Sequence, residues 1–321
     1  MSWFHVILEL LIGIGLLTWG ADRFITACSS IAKHFGMPPL LIGMLLVGFG
    51  TSFPELVVSL IAALKGNSGI AIGNAIGSNI ANIGLVVGVT ALVAPIAIHS
   101  QLLKREFPIL VAVSAVVGLL FWDNQITRLD GLLLIALLIA HLYWMIRVAR
   151  SKKLSHDAMA EEYKKELPKM SLKKAWIWWL VGLVFLFAAS ELLVDSASTI
   201  ARWMHISDFI IGLTIVAVGT SLPELAATVV SAWRGEHDIA IGNVVGSNIF
   251  NLLAVLPMPA LIIPGHLPSH LLTRDFPVMM LLTVLLWLFA FFPIHKKNIG
   301  RLEAGALLLA FVAYMVYTLM A

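Results

Sequence analysis

The stretch "GTSFPELVVS", residues 50–59, lies inside a run apolar enough to cross a bilayer, yet it carries Pro54 and Glu55 near its middle. The same pattern returns as "GTSLPELAAT" at residues 219–228. Whatever requires a proline and a carboxylate at membrane depth is therefore built twice. Around these stretches the chain is 60% hydrophobic and only 12% charged, with a mean hydropathy of +0.96 over 321 residues. A soluble domain is about one quarter charged, and a spanning helix needs about 20 mostly apolar residues. The composition therefore defines a polytopic, all-α integral membrane protein. The single cysteine, Cys28, excludes an internal disulfide and any cysteine-based metal site. Ile25-Thr26-Ala27-Cys28 resembles a lipoprotein cleavage box, but Asp22 and Arg23 interrupt the apolar core a signal peptide requires. Residues 1–35 are read as a retained first helix.

Shifted by 169 residues, positions 50–82 match positions 219–251 at 18 of 33 places without a gap. The register extends from Asp22 against Glu191 to Arg105-Glu106-Phe107-Pro108 against Arg274-Asp275-Phe276-Pro277. Apolar runs predict spans at 3–33, 39–64, 69–94, 106–122 and 128–149, then at 175–202, 207–233, 239–263, 275–293 and 300–320. Five spans per half is an odd number, so the second half enters from the opposite side. The expected fold is ten transmembrane helices in two inverted five-helix repeats, residues 1–150 and 174–321, joined by a short linker at 151–173. One set of loops carries 16 Lys and Arg residues and the other carries four. The basic side is expected to be cytoplasmic, which puts both termini outside and the linker inside. With both charge signs and little length, the linker reads as a solvated connection and not as a regulatory domain.

Proline has no N–H, so Pro54 deprives the Gly50 carbonyl of its helical partner. Broken backbone at membrane depth is tolerated where protein or a polar cavity surrounds it. Thr51 and Ser52 lie four and three residues before Glu55, which predicts all three on one helical face. Thr220, Ser221 and Glu224 repeat the set. Inverted symmetry brings both sets to the midplane, where hard cations prefer oxygen. Calcium takes about 6–8 oxygens at roughly 2.3–2.6 Å, and two bidentate glutamates plus the Thr51 and Thr220 carbonyls would supply about six. Two carboxylates about 5 Å apart repel by roughly 3 kcal/mol at an effective dielectric near 20, so the pair invites one divalent ion, or several monovalent ones. The following runs, "AIGNAIGSNIANIG" and "AIGNVVGSNIFNLL", pair a G-x-x-x-G (Gly73 and Gly77; Gly242 and Gly246) with Ser78 and Asn82, or Ser247 and Asn251, on one face. They are expected to form the back wall of the site.

Plain structural readings compete with this one. A membrane proline is commonly only a kink, a serine commonly bonds to its own helix, and a membrane glutamate can be held by a base. Arg23 is the one basic residue well inside a span, and its neighbour Asp22 is the expected partner. A charge at the bilayer centre costs about 2.5 kcal/mol or more, and this chain accepts that cost twice. Glu55 and Glu224 are therefore read as functional. Asn74 and Asn243 divide evenly between a structural and a functional role. Asp22, Glu191 and Asp195 are assigned to helix ends or structural pairs.

"GTSFPE…GNAIGSNIANI" and "GTSLPE…GNVVGSNIFNL" closely resemble the two alpha-repeats of sodium/calcium exchangers, within the calcium/cation antiporter superfamily. The resemblance covers nearly the whole chain and is nearest the compact bacterial and archaeal members. It implies alternating access, with the first and sixth helices sliding over a core of the other eight. It also implies that Glu55 and Glu224 bind calcium with the carbonyls of Thr51 and Thr220. Ser52, Ser78, Ser221 and Ser247 would help form flanking sodium sites, with Asn82 and Asn251 lining the centre. Calcium and sodium are then transported ions, and no cofactor is expected. Asn251 is Asp in some relatives, including potassium-dependent ones, which argues against potassium dependence here. The G-N-x-x-E pattern of proton-coupled relatives is absent. Pro257 and Pro259 stand opposite Gly88 and Thr90 and break the repeat.

A proton/cation antiporter on the same site is the alternative, and a cation channel is a more distant one, since a channel needs no inverted halves. An intramembrane hydrolase needs an activated nucleophile. His141 is the one histidine well within a span, and no nucleophile repeats opposite it. The chain is therefore not read as an enzyme. A monomer in the bacterial inner (plasma) membrane is expected, with no nucleic-acid partner.

Overall fold

The computed structural model describes residues 3–98, 103–149, 170–204, 217–268, 270–292 and 298–320. The first half contains α1 (Trp3–Phe35), α2 (Pro39–Ile42), α3 (Phe49–Thr51), α4 (Phe53–Leu64), α5 (Ser68–Ala81), α6 (Gly88–Val93), α7 (Leu103–Leu120) and α8 (Arg128–Ala149). The second contains α9 (Leu172–Trp203), α10 (Ala217–Thr220), α11 (Leu222–Trp233), α12 (His237–Phe250), α13 (Pro257–Ile262), α14 (Phe276–Phe291) and α15 (Arg301–Met320). Wider π-helical turns join α2 to α3 (Gly43–Gly48), α5 to α6 (Asn82–Val87) and α12 to α13 (Asn251–Val255), and precede α14 (Leu271–Asp275).

Among the described residues, seven helices are long and apolar enough to cross a membrane, or eight if the bent pair Leu40–Thr51 and Phe53–Leu64 counts as one span. Two of the ten expected spans are missing from that count for different reasons. α7 is helical over the expected 106–122 region, but Lys104, Arg105 and Glu106 crowd its first turn. The expected 207–233 span runs through residues 205–216, which lie outside the described residues, as does most of the 151–173 linker.

Burial separates a centre from a rim. The apolar window of the α12 segment is 100% buried and that of the α5 segment 72%, against 22% for α1 and 17% for α8. Large exposed apolar side chains such as Phe4, Leu119 and Trp122 cover the rim helices. A patch of that extent is stable against lipid and not against water. α12 is held at the centre by glycine contacts. A Cβ on Gly43 would meet the Ile239 carbonyl oxygen at 2.5 Å, and one on Gly246 would meet Met44 Cα at 2.5 Å. The second-half G-x-x-x-G therefore packs backbone against backbone, as small residues do in lipid. Among the described residues, Gly73 and Gly77 meet no such neighbour. The segment that the 169-residue register sets opposite them, residues 209–217, falls almost wholly outside the described residues.

α1 and α9 pack antiparallel along their length. A Cβ on Gly13 would meet Leu193 at 2.7 Å and one on Gly182 would meet Phe24 N at 2.7 Å, while the Trp3 and Trp203 rings meet tilted, with centroids 4.5 Å apart. α1, α4 and α11 end in the same way. Gly36, Gly66 and Gly235 have φ of 61°, 83° and 76°. The next N–H reaches back five residues in each case, as in Met37 to Ala32, Asn67 to Ala62 and Glu236 to Ser231. Glycine adopts this left-handed cap without a Cβ penalty. Two small antiparallel ribbons tie distant loops, β1 (Ile96–Ala97) to β4 (Asn298–Ile299) and β2 (Gln125–Ile126) to β3 (Gly265–His266).

One expected pairing is corrected. Asp22 does not pair with Arg23; it pairs with Arg234 at the end of α11. Arg23 instead lies over the Trp19 and Trp178 rings, 5.8 and 5.3 Å from their centroids. Adjacent helical residues point about 100° apart, so Asp22 faces α11 while Arg23 faces α9.

Candidate functional site

Glu55 and Glu224 each sit in the first turn of a helix, α4 and α11, with Pro54 or Pro223 at the helix start. That position removes the proline's usual cost, because the first N–H groups of a helix have no partner in any case. The break that Pro54 implies is present, and it divides the helical face expected to carry Thr51, Ser52 and Glu55 together. α3 ends at Thr51, Ser52 leaves helical geometry with φ −84° and ψ 6°, and the two segments meet at 42°. Ser221 repeats the break with φ −90° and ψ 4°. Each carboxylate consequently faces the positive end of its own helix, where a negative charge is favoured.

Glu55 is 0% and Glu224 1% exposed. No basic side chain pairs with either carboxylate among the described residues. Ser52 Oγ donates to Glu224 Oε1 at 3.0 Å, from one half of the chain to the other. Thr51 Oγ1 donates to Val47 O at 3.0 Å and lies 3.2 Å from Asn243 Oδ1. Ser247 Oγ donates to Gly48 O at 3.3 Å. Both oxygens of Glu55, Oε2 of Glu224, Ser221 Oγ and both amide atoms of Asn82 and of Asn251 are buried without a hydrogen-bond partner among the described residues. Buried polar atoms are nearly always paired, so unpaired ones gathered around two carboxylates suit a polar guest.

The asparagines reach this region through the π turns. Asn82 and Asn251 are the first residues of the Asn82–Val87 and Asn251–Val255 segments. The wider turn is visible in Leu256 N–H bonding Asn251 O, five residues back, at 2.9 Å. Such turns inside α-helices cluster at functional sites. Each packs against the carboxylate helix of the opposite half: Asn251–Val255 against α4, and Asn82–Val87 against α11. The prolines at 257 and 259 do not create the turn, because the first half makes it with Gly88 and Thr90. Ser78 is buried near the end of α5, and Thr220 is half-buried at the end of α10.

Asn74 and Asn243, left undecided by sequence, position the two carboxylate helices. Asn74 Nδ2 donates to Glu55 O and to Ser59 Oγ, both at 2.9 Å. Asn243 Nδ2 donates to Glu224 O at 3.3 Å and to Thr228 Oγ1 at 2.8 Å. Their signal in the sequence is the recurring spacing: each amide lies 19 residues beyond its glutamate and 15 beyond the hydroxyl. Among the described residues, no three His, Cys, Asp or Glu side chains converge on a metal position.

An all-helical membrane chain with paired buried carboxylates at broken helices belongs to the class of membrane transporters. The family profile described as sodium/calcium exchanger protein matches residues 5–147 and again 174–320. The inner membrane protein YrbG of Escherichia coli (strain K12) is 40% identical over 300 residues, covering 92% of each chain. The sodium/calcium exchanger MaX1 of Methanosarcina acetivorans is 32% identical, covering 96% of this chain and 97% of its own. A solved structure of the sodium-calcium exchanger NCX_Mj overlays with a TM-score of 0.83 at 30% identity, over 99% of this chain and 100% of that one. This chain belongs to the sodium/calcium exchanger family.

Proposed function

We propose that the protein exchanges sodium for calcium by alternating access, with Glu55 and Glu224 as the shared ligands. The observation that carries this reading is the pair of buried, base-free carboxylates from two halves, surrounded by unpaired amides and hydroxyls. In this reading Thr51 and Thr220 add carbonyls to the calcium site. Ser52, Ser78, Ser221 and Ser247 serve flanking sodium positions, and Asn82 and Asn251 line the centre. A divalent ion neutralises both carboxylates in one step, whereas sodium ions must do so severally, which makes occupancy mutually exclusive.

The chain is read as ten spans in two inverted halves, 1–150 and 174–321, joined by the 151–173 linker. The separate matches of one family profile to the two halves support this division. The ribbons support the predicted sidedness: β1 with β4 and β2 with β3 each join loops that span counting puts on one side. The 16-to-4 distribution of basic residues favours extracytoplasmic termini and a cytoplasmic linker. The inner-membrane location of YrbG favours the same membrane here.

Proteoliposomes loaded with sodium, potassium or choline at fixed pH, with calcium-45 outside, test the assignment. Sodium-loaded vesicles are expected to accumulate calcium, and the others are not. Uptake should weaken as pH falls, because a protonated carboxyl no longer offers charge to the cation. Equal uptake driven by a pH gradient in sodium-free vesicles would replace sodium with the proton as the counter-ion.

A further inference from the structure

We propose that Asp22 and Arg234 form a latch that holds one end of the α1–α9 pair against the core. Glu191 and Lys65 would form the matching latch at the opposite end after that pair has moved. The proposal rests on the alternating-access reading above and names residues that neither the motifs nor the carboxylate site assign.

Arg234 pairs with Asp22 and donates through Nη1 to Thr26 Oγ1 at 2.8 Å. Thr26 Oγ1 donates in turn to Asp22 O at 2.7 Å, which fixes the hydroxyl so that it accepts from Arg234. One turn on, Ser29 Oγ donates to Glu236 Oε2 at 3.0 Å. These contacts join α1 to the turn between α11 and α12, and α1 packs along α11. In the 169-residue register, Arg234 corresponds to Lys65 and Asp22 to Glu191. Lys65 and Glu191 are both exposed, and no ion pair joins them. α9 makes no comparable packing along α4. At this second end Ser196 Oγ turns back to Glu9 Oε2 of α1, at 3.2 Å.

The two basic residues occupy the same local position. Lys65 and Arg234 are the C-cap residues of α4 and α11. Each lies ten residues after its glutamate, about 15 Å along the helix. A base at a helix C-terminus is favoured by the dipole. That effect acts equally on both, so it does not explain why only one has found an acid on a long helix. The position of the α1–α9 pair does explain it. The glycine contacts of Gly13 and Gly182 lock the two long helices together, so a shift that releases Asp22 from Arg234 carries Glu191 toward Lys65. The latch side chains are 30% and 44% exposed. Exposed pairs contribute little net stability, which suits a contact that must open in every cycle.

The test uses the full chain with Cys28→Ala, reconstituted in proteoliposomes, with a protease site placed in the 151–173 linker. Two double variants are compared, Asp22→Cys/Arg234→Cys and Lys65→Cys/Glu191→Cys. Each is treated with a flexible bismaleimide and then cleaved; a cross-link keeps the halves together on a denaturing gel. Both pairs are expected to cross-link, with yields moving in opposite directions when sodium is exchanged for calcium. Asp22→Asn added to the Lys65→Cys/Glu191→Cys variant should raise its yield about two- to fivefold. The swap Asp22→Arg/Arg234→Asp should bring that yield back. A 65–191 cross-link that never forms, yields that rise and fall together, or indifference to Asp22→Asn overturns the latch. Cross-linking is read on the protein itself, so a failure of sodium-driven calcium uptake would sink the antiport reading and leave this result separately legible.

Discussion

The neighbourhoods of Glu55 and Glu224 are built from nearly the same sequence but are not equally occupied. Within each half the contacts repeat: the asparagine 19 residues on donates to the glutamate's carbonyl and to the hydroxyl one turn later. The helices break at Ser52 and Ser221 alike, and both end in a left-handed glycine. Between halves the symmetry is lost. Among the described residues, Ser52 donates to Glu224, whereas Ser221 Oγ has no partner and neither oxygen of Glu55 accepts a bond. Contacts inside a half are fixed by residue spacing, so duplication copies them. Contacts across halves depend on how the halves are seated, and a transporter must be free to change that seating.

The comparison is broken most forcefully at the carboxylates. Glu55→Gln and Glu224→Gln should each lower calcium exchange by about 100-fold or more, since each removes a full charge from the proposed cation site. Calcium-45 uptake by the purified variants, with size-exclusion profiles to check folding, reads this directly. Substantial exchange in either variant would mean that one half suffices and the paired site is wrong.

A smaller effect sharpens the contrast within halves. Asn243→Ala and Asn74→Ala should each cost about 1–3 kcal/mol of stability, because buried partners are left unsatisfied. Asn243 should cost more, since its Oδ1 also lies within reach of Thr51. Thermal melting in detergent measures both, and a greater loss for Asn74→Ala would contradict the bonding described.

The smallest difference separates the serines. Ser52→Ala should weaken calcium binding about two- to tenfold, the scale of one hydrogen bond to a charged group. Ser221→Ala should do less under the same conditions. Equal losses would show that the cross-half bond from Ser52 to Glu224 carries no weight in binding.

Much of this was legible in the chain. Hydropathy defined an integral membrane protein, and eight of the ten predicted spans correspond to described apolar segments, one of them bent. The duplicated "GTS-PE" stretch located both carboxylates and both helix breaks, because a proline before a glutamate in an apolar run has few structural uses. It could not locate the partner of Asp22. The nearest base in sequence, Arg23, points to another helix, and Arg234 lies 212 positions away. Nor could it decide between roles for Asn74 and Asn243, since an amide beside a glycine serves packing and binding equally well until its acceptors are known.

Sequence by itself determined what is local or repeated: the apolar spans, the broken helices and the two carboxylates within them. These follow from hydropathy, backbone chemistry and spacing, which act over one or two helical turns. Only the tertiary structure decided which equivalent contacts are made. It placed Ser52 rather than Ser221 on a carboxylate and gave Asp22, rather than Glu191, a basic partner. Two halves built on the same repeated motifs offer equivalent contacts at both ends. A rigid pair of long helices can satisfy one end at a time, so that choice belongs to the packing and not to the residues.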